Sequence, residues 1–155
     1  MAVSDLYEGF YTTVLDRADL ITWVRVPKLS GRSGWGFSEV ARRHGDFAEA
    51  GCAAVAWVRE DNTLAALRLA LFGLGDRPLL VEPDVTDVTL HDLGGVDKSV
   101  ADTLEPLDQP VYRRRLARHC IRTSVADAIR RASDIPVRPE PTEPTGWPAI
   151  ASGPR

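Results

Sequence analysis

AEAGCAAVAWV, residues 48–58, is a run of small and apolar side chains whose conformation decides the fold. Its alanines favour a helix by intrinsic propensity. The sequence beyond it argues otherwise. Val55 and Trp57 on one side, and Leu67, Leu69 and Leu71 on the other, flank Glu60-Asp61-Asn62, three residues suited to a tight turn. Two apolar runs about a three-residue polar turn read as a β-hairpin, with Trp57 buried in it and Gly73, Gly75 and Pro78 closing the second strand.

Upstream, Arg42-Arg43-His44-Gly45-Asp46 forms a charged knot, in which a hydrogen bond from His44 to Asp46 is expected to hold a turn. Before it, residues 28–36 carry Gly31, Gly34 and Gly36. Their spacing matches neither a P-loop nor a dinucleotide fingerprint, so they read as a flexible turn. Residues 20–26 alternate, with Leu20, Thr22, Val24 and Val26 on one face and Ile21, Trp23 and Arg25 on the other. That period of two predicts a strand, ended by Pro27. Residues 1–19 have no clean period; a short strand is expected at 10–15 and a turn at 16–19.

Downstream, Pro83 and Gly94-Gly95 break residues 79–95, where His91 lies, and Asp97 suits the cap of a short helix over 98–104. Pro110 fits the first turn of a long helix running to about Ala132. On it Tyr112, Leu116, His119, Cys120 and Thr123 gather on one side, with Ile121, Val125 and Ile129 elsewhere, as for a helix packed between neighbours. Arginines 113, 114, 115, 118, 122, 130 and 131 ring the remainder, and read as a solvated face or a subunit contact. The segment after Asp134 holds six of the chain's eleven prolines and few large apolar residues, so a disordered tail is expected.

The 155 residues suit one domain with a real core, since 44% are apolar. A net charge of −3 gives no basic footprint for nucleic acid. No apolar run is long enough to span a bilayer and no signal peptide is visible, so a cytoplasmic, reduced protein with Cys52 and Cys120 as free thiols is expected. The three histidines show no helical metal-ligand spacing, and no Gly-x-Ser-x-Gly elbow occurs. Neither a catalytic residue nor a metal site is predicted, and Trp23, Trp35 and Trp57 read as packing residues.

Several stretches carry a family resemblance. Ala41-Arg42-Arg43-His44-Gly45-Asp46-Phe47-Ala48, Gly9-Phe10-Tyr11-Thr12-Thr13, the run 19–27 (DLITWVRVP), the run 69–78 ending Gly73-Leu74-Gly75-Asp76-Arg77-Pro78, and Val111-Tyr112-Arg113-Arg114-Arg115-Leu116-Ala117 occur in the family's order. Over about residues 5–132 the chain resembles the carboxy-terminal domain of the FAD-binding medium subunit of molybdenum hydroxylases, the carbon monoxide and xanthine dehydrogenase group.

The resemblance implies an α+β fold, a small three-stranded antiparallel sheet packed on a helical bundle. It divides the chain into residues 1–19, a remnant or linker from a missing FAD domain, a domain over 20–133 and a disordered tail over 134–155. It implies a part in FAD-mediated electron transfer. A large subunit would carry the molybdenum cofactor and a small one the iron–sulfur clusters. Leu20 and Ile21 map to an apolar pair against the flavin. Ser38 stands where some relatives have a lysine, and the Gly-rich phosphate loops of the flavin domain are absent before Leu20. The alternative is a subunit-docking module or an inactive remnant without catalysis.

Overall fold

The computed structural model describes residues 1–85, 96, 102, 104 and 109–134. Most of the short helix expected over 98–104, His91 and the tail after Asp134 lie outside the described residues. The fold is α+β, as expected. A four-stranded antiparallel sheet in the order β3–β4–β5–β6 is covered on one face by a helix. Its strands are β3 (Ser33–Val40), β4 (Ala50–Val58), β5 (Leu64–Phe72) and β6 (Leu79–Val81), and the helix is α1 (Val111–Asp134). A separate two-stranded ribbon, β1 (Tyr7–Gly9) with β2 (Thr12–Thr13), lies near the amino terminus.

The hairpin reading of residues 48–72 holds. Along β4 the side chains alternate, with Ala50, Cys52, Ala54, Ala56 and Val58 buried and Ala53, Val55 and Trp57 half-buried on the other face. In the β4–β5 register Cys52 faces Leu71, Ala54 faces Leu69 and Ala56 faces Leu67, so a small strand lies beside a leucine-rich one. The connecting turn is closed by Asp61, whose carboxylate accepts from the Thr63 N–H at 2.9 Å and from its hydroxyl at 2.7 Å. Asn62 takes a positive φ of 62°, which asparagine tolerates better than most residues.

The sheet has four strands rather than three, because Leu79–Val81 pairs with Leu69–Leu71 at the far edge. Of the three glycines read as a flexible turn, Gly34 and Gly36 belong to β3, and Gly31 precedes it at φ 64°. Gly34 and Gly36 sit opposite Ala56 and Ala54 on the helix-facing side, and Trp35 and Phe37 point the other way. α1 crosses β3 so closely that a Cβ on Gly36 would lie 1.9 Å from the Ser124 carbonyl oxygen, and one on Gly34 2.1 Å from that of Ala128. No other residue leaves room for that crossing.

The buried face of α1 is Ala117, Cys120, Ile121, Ser124, Val125, Ala128, Ile129 and Ala132. These positions repeat at three and four residues, which makes one stripe instead of the two sides expected. Tyr112, His119 and Thr123, placed on the packing side by the sequence, are exposed. With the leucines of β5, this stripe joins Leu74, Val85, Val96 and Leu104 in a single core cluster.

Residues 20–26 do not form a strand in any sheet of the described residues. They carry no regular secondary structure and all are exposed. The strand expected at 10–15 is instead the ribbon β1–β2, with Phe10 and Tyr11 at its turn and Tyr11 at φ 55°. The turn at 16–19 is present, with the Asp16 N–H donating to the Asp19 carboxylate at 2.8 Å.

Candidate functional site

Leu20 and Ile21 stand on the surface, 82% and 53% exposed, in the segment between the Asp16–Asp19 turn and β3. Nothing in the described core uses their side chains. Ser38 lies elsewhere, half-buried on the helix-facing side of β3, near the Cys120 thiol, which donates to the Ala50 carbonyl at 3.5 Å.

The charged knot after β3 is an exposed connection between β3 and β4. The Glu49 N–H donates to the Val40 carbonyl at 2.8 Å, which closes its ends. The Arg42 guanidinium donates to Glu49, whose carboxylate holds the Arg42 pKa above its ordinary value. The turn itself is closed by the Asp46 N–H on the Arg43 carbonyl at 3.1 Å, with Gly45 at φ 88°, rather than by a bond from His44 to Asp46. Phe47, almost wholly exposed, meets Tyr11 edge-on with ring centroids 6.0 Å apart. The knot thus touches the amino-terminal ribbon.

Trp23, Trp35 and Trp57 are not core residues. Trp23 and Trp35 are exposed, and Trp57 is half-buried on the outer sheet face beneath the Arg68 guanidinium. Arg131 lies over the Trp35 ring, 4.0 Å from its centroid, and donates to the Trp35 carbonyl. Phe37 and Phe72 stack at 5.6 Å on the same outer face. The sequence hides this aromatic surface because Trp35 falls in the glycine-bearing run 28–36, which reads as a turn. The alternation Gly-Trp-Gly-Phe was its signal.

Chemistry of the groups present is limited. Cys52 and Cys120 are free and buried between sheet and helix. Burial pushes the Cys52 thiol up to about 11, so it stays protonated at neutral pH and is a poor nucleophile. Among the described residues no three His, Cys, Asp or Glu side chains gather in a way that would hold a metal ion. No described helix is long and apolar enough to cross a membrane. The described surface does carry exposed apolar side chains, on the segment without regular structure that precedes β3.

The comparisons with known proteins agree on one group. No protein-family model matches the chain. It is 41% identical over 75 residues to the caffeine dehydrogenase subunit beta of Pseudomonas sp. (strain CBB1), covering 48% of this chain and 25% of that one. Over 144 residues it is 28% identical to the carbon monoxide dehydrogenase medium chain of Afipia carboxidovorans, covering 86% of this chain and 49% of the relative. The chain is similar to carbon monoxide dehydrogenase medium chains and to medium subunits of other dehydrogenases. A solved carbon monoxide dehydrogenase from Hydrogenophaga pseudoflava shares the fold, with a TM-score of 0.71 at 21% identity over 83% of this chain and 47% of that one. The chain therefore spans about half the length of the relatives that match most of it.

Proposed function

We propose that this chain forms the carboxy-terminal part of an FAD-dependent medium subunit of a molybdenum hydroxylase. In that role it assists electron transfer from iron–sulfur clusters, through flavin, to an acceptor. The observation that carries the reading is similarity to a carbon monoxide dehydrogenase medium chain across 86% of the chain, on the same fold. Its partners would be a large subunit with the molybdenum cofactor and a small subunit with the iron–sulfur clusters.

The residues present fit part of a flavin site. Leu20 and Ile21 offer exposed apolar side chains, suited to one face of an isoalloxazine ring and to keeping water from it. The described residues supply no Gly-rich phosphate cradle before them, so the remainder of the cofactor would rest on another polypeptide segment. When bound, the flavin supplies the redox chemistry; the chain's own residues position and desolvate the ring.

The test is the double substitution Leu20→Asp with Ile21→Asp, made in the complex purified with the polypeptides encoded beside this chain. Burying one leucine is worth roughly 1.5–3 kcal/mol, so flavin affinity should fall by about tenfold or more. Thermal unfolding of the chain alone should be unchanged, because neither side chain belongs to the core. Full flavin occupancy in the double variant would remove these residues from the site.

A further inference from the structure

The four-stranded sheet is covered on one side only. α1 packs on its inner face, and among the described residues no helix or strand is layered on the outer one. That outer face is nonetheless apolar. The register sets Trp35 beside Val55, and Phe37 in a row with Ala53, Ala70 and Leu80. Phe72 lies across Gly51, where an added Cβ would sit 2.2 Å from its ring. It thereby reaches Phe37 two strands away and stacks on it at 5.6 Å. Trp35 is 54%, Phe37 51% and Leu80 64% exposed. β4 is apolar on both sides, the pattern of a strand in a sheet covered on both faces.

We propose that residues 136–148 of this chain lie as a proline-rich strap across that outer face, over Trp35, Phe37 and Phe72. The occupant follows from where α1 ends. Its last turn is pressed on β3: a Cβ added to Gly34 would lie 2.4 Å from the Ala132 nitrogen. Arg131 covers one side of the Trp35 ring and donates to the Trp35 carbonyl. β3 is an edge strand, so no other strand separates the end of α1 at Asp134 from the outer face. The sequence that follows has the matching chemistry. Pro136-Val137-Arg138-Pro139 and Pro141-Thr142-Glu143-Pro144 suit polyproline II, which has three residues per turn, so Pro141, Pro144 and Trp147 fall on one ridge. Such a ridge docks on aromatic-lined surfaces and has little ordering entropy left to lose. Residues 136–148 in that form reach about 40 Å, against about 15 Å across the four strands. The contact lies within this chain and stands apart from the flavin reading.

Hydroxyl-radical footprinting of the full chain tests the strap. The reference is the full-length variant with Pro139→Gly, Pro141→Gly, Pro144→Gly and Trp147→Ser, positions that the core cluster does not include. A short tether supplies an effective concentration of about a millimolar, so even a weak contact stays mostly closed, and Trp35 and Phe37 should react about threefold or more slowly in the natural chain. Trp23, exposed outside the face, should react alike in both. A second readout leaves the contact in place. A nitroxide on the full-chain variant Thr145→Cys, with Cys52 and Cys120 buried, should broaden the amides of Trp35 and Phe37 while those of Glu60-Asp61-Asn62 stay sharp. Equal reactivity of Trp35 and Phe37 in the two chains, or broadening spread evenly over the surface, would overturn the strap. Protection that rises with protein concentration would assign the contact to a second copy. Protection gained only when the polypeptides encoded beside this chain are added would assign the face to a partner, and either result overturns the proposed occupant.

Discussion

At Gly36 the sheet and helix meet with no side chain between them, and the nearest neighbour of an added Cβ is the Ser124 backbone. A backbone obstacle cannot rotate away, so Gly36→Ala is expected to cost about 3 kcal/mol or more in chemical denaturation. Gly75→Ala is the control: the nearest atom to its Cβ is 3.9 Å away, and stability should stay within about 0.5 kcal/mol. Equal midpoints for the two variants would refute the close crossing. Trp57→Ala, in contrast, removes a half-buried side chain from the outer face, and about 1 kcal/mol is expected, not the 3–5 kcal/mol of a core aromatic. Two titrating groups bound the pH range. The Cys52 thiol has a folded-state pKa raised by burial from 9.0 to about 11, so its contribution is intact below 9 and is lost as pH rises towards 11. Bonds from Thr63 lower the Asp61 pKa below its ordinary 3.8. The hairpin turn therefore keeps Asp61's contribution above that pH and loses it as acid protonates the folded carboxylate. Unfolding midpoints across both ranges check the two signs; stability that rises above pH 9 would contradict the first.

Strands β4 and β5 were legible because their alternation and the Glu60-Asp61-Asn62 turn agree, even though alanine prefers helix. Burial against a partner outweighs a propensity difference of a few tenths of a kcal/mol per residue. The helix stripe was harder to see. Ala117, Cys120, Ser124, Ala128 and Ala132 are small, and they are buried because a close helix–sheet approach demands it, so larger neighbours such as Tyr112 drew the reading. β3 was hidden by its glycines, which serve packing here and not flexibility. Residues 20–26 show the remaining limit: alternation states which side chains want cover, and the described residues give them none. At this scale Ile121→Ala should destabilise by about 2–5 kcal/mol, and Thr123→Ala by less than about 0.5, in urea unfolding. Matching losses would show that the helix faces the sheet with a different side.

The whole molecule pairs a well-packed sheet and helix with a poorly covered amino-terminal third. Phe10, Tyr11, Leu20, Trp23, Val26 and Phe47 are all exposed, more apolar surface than a monomeric domain ordinarily leaves to water. Among the described residues nothing covers this surface, and it is what the proposed assembly would cover; the chain spans about half the length of the relatives that match most of it. Leu20 and Ile21 could be placed against flavin only through the family resemblance, because two apolar residues on an extended segment carry no chemical signature of their own. The most direct test of the account is the visible spectrum of the protein purified alone and with the polypeptides encoded beside it. The account predicts a colourless chain alone and a flavin spectrum in the complex, bleached when the partner's substrate is added. A complex that assembles with its partners and remains colourless would contradict it.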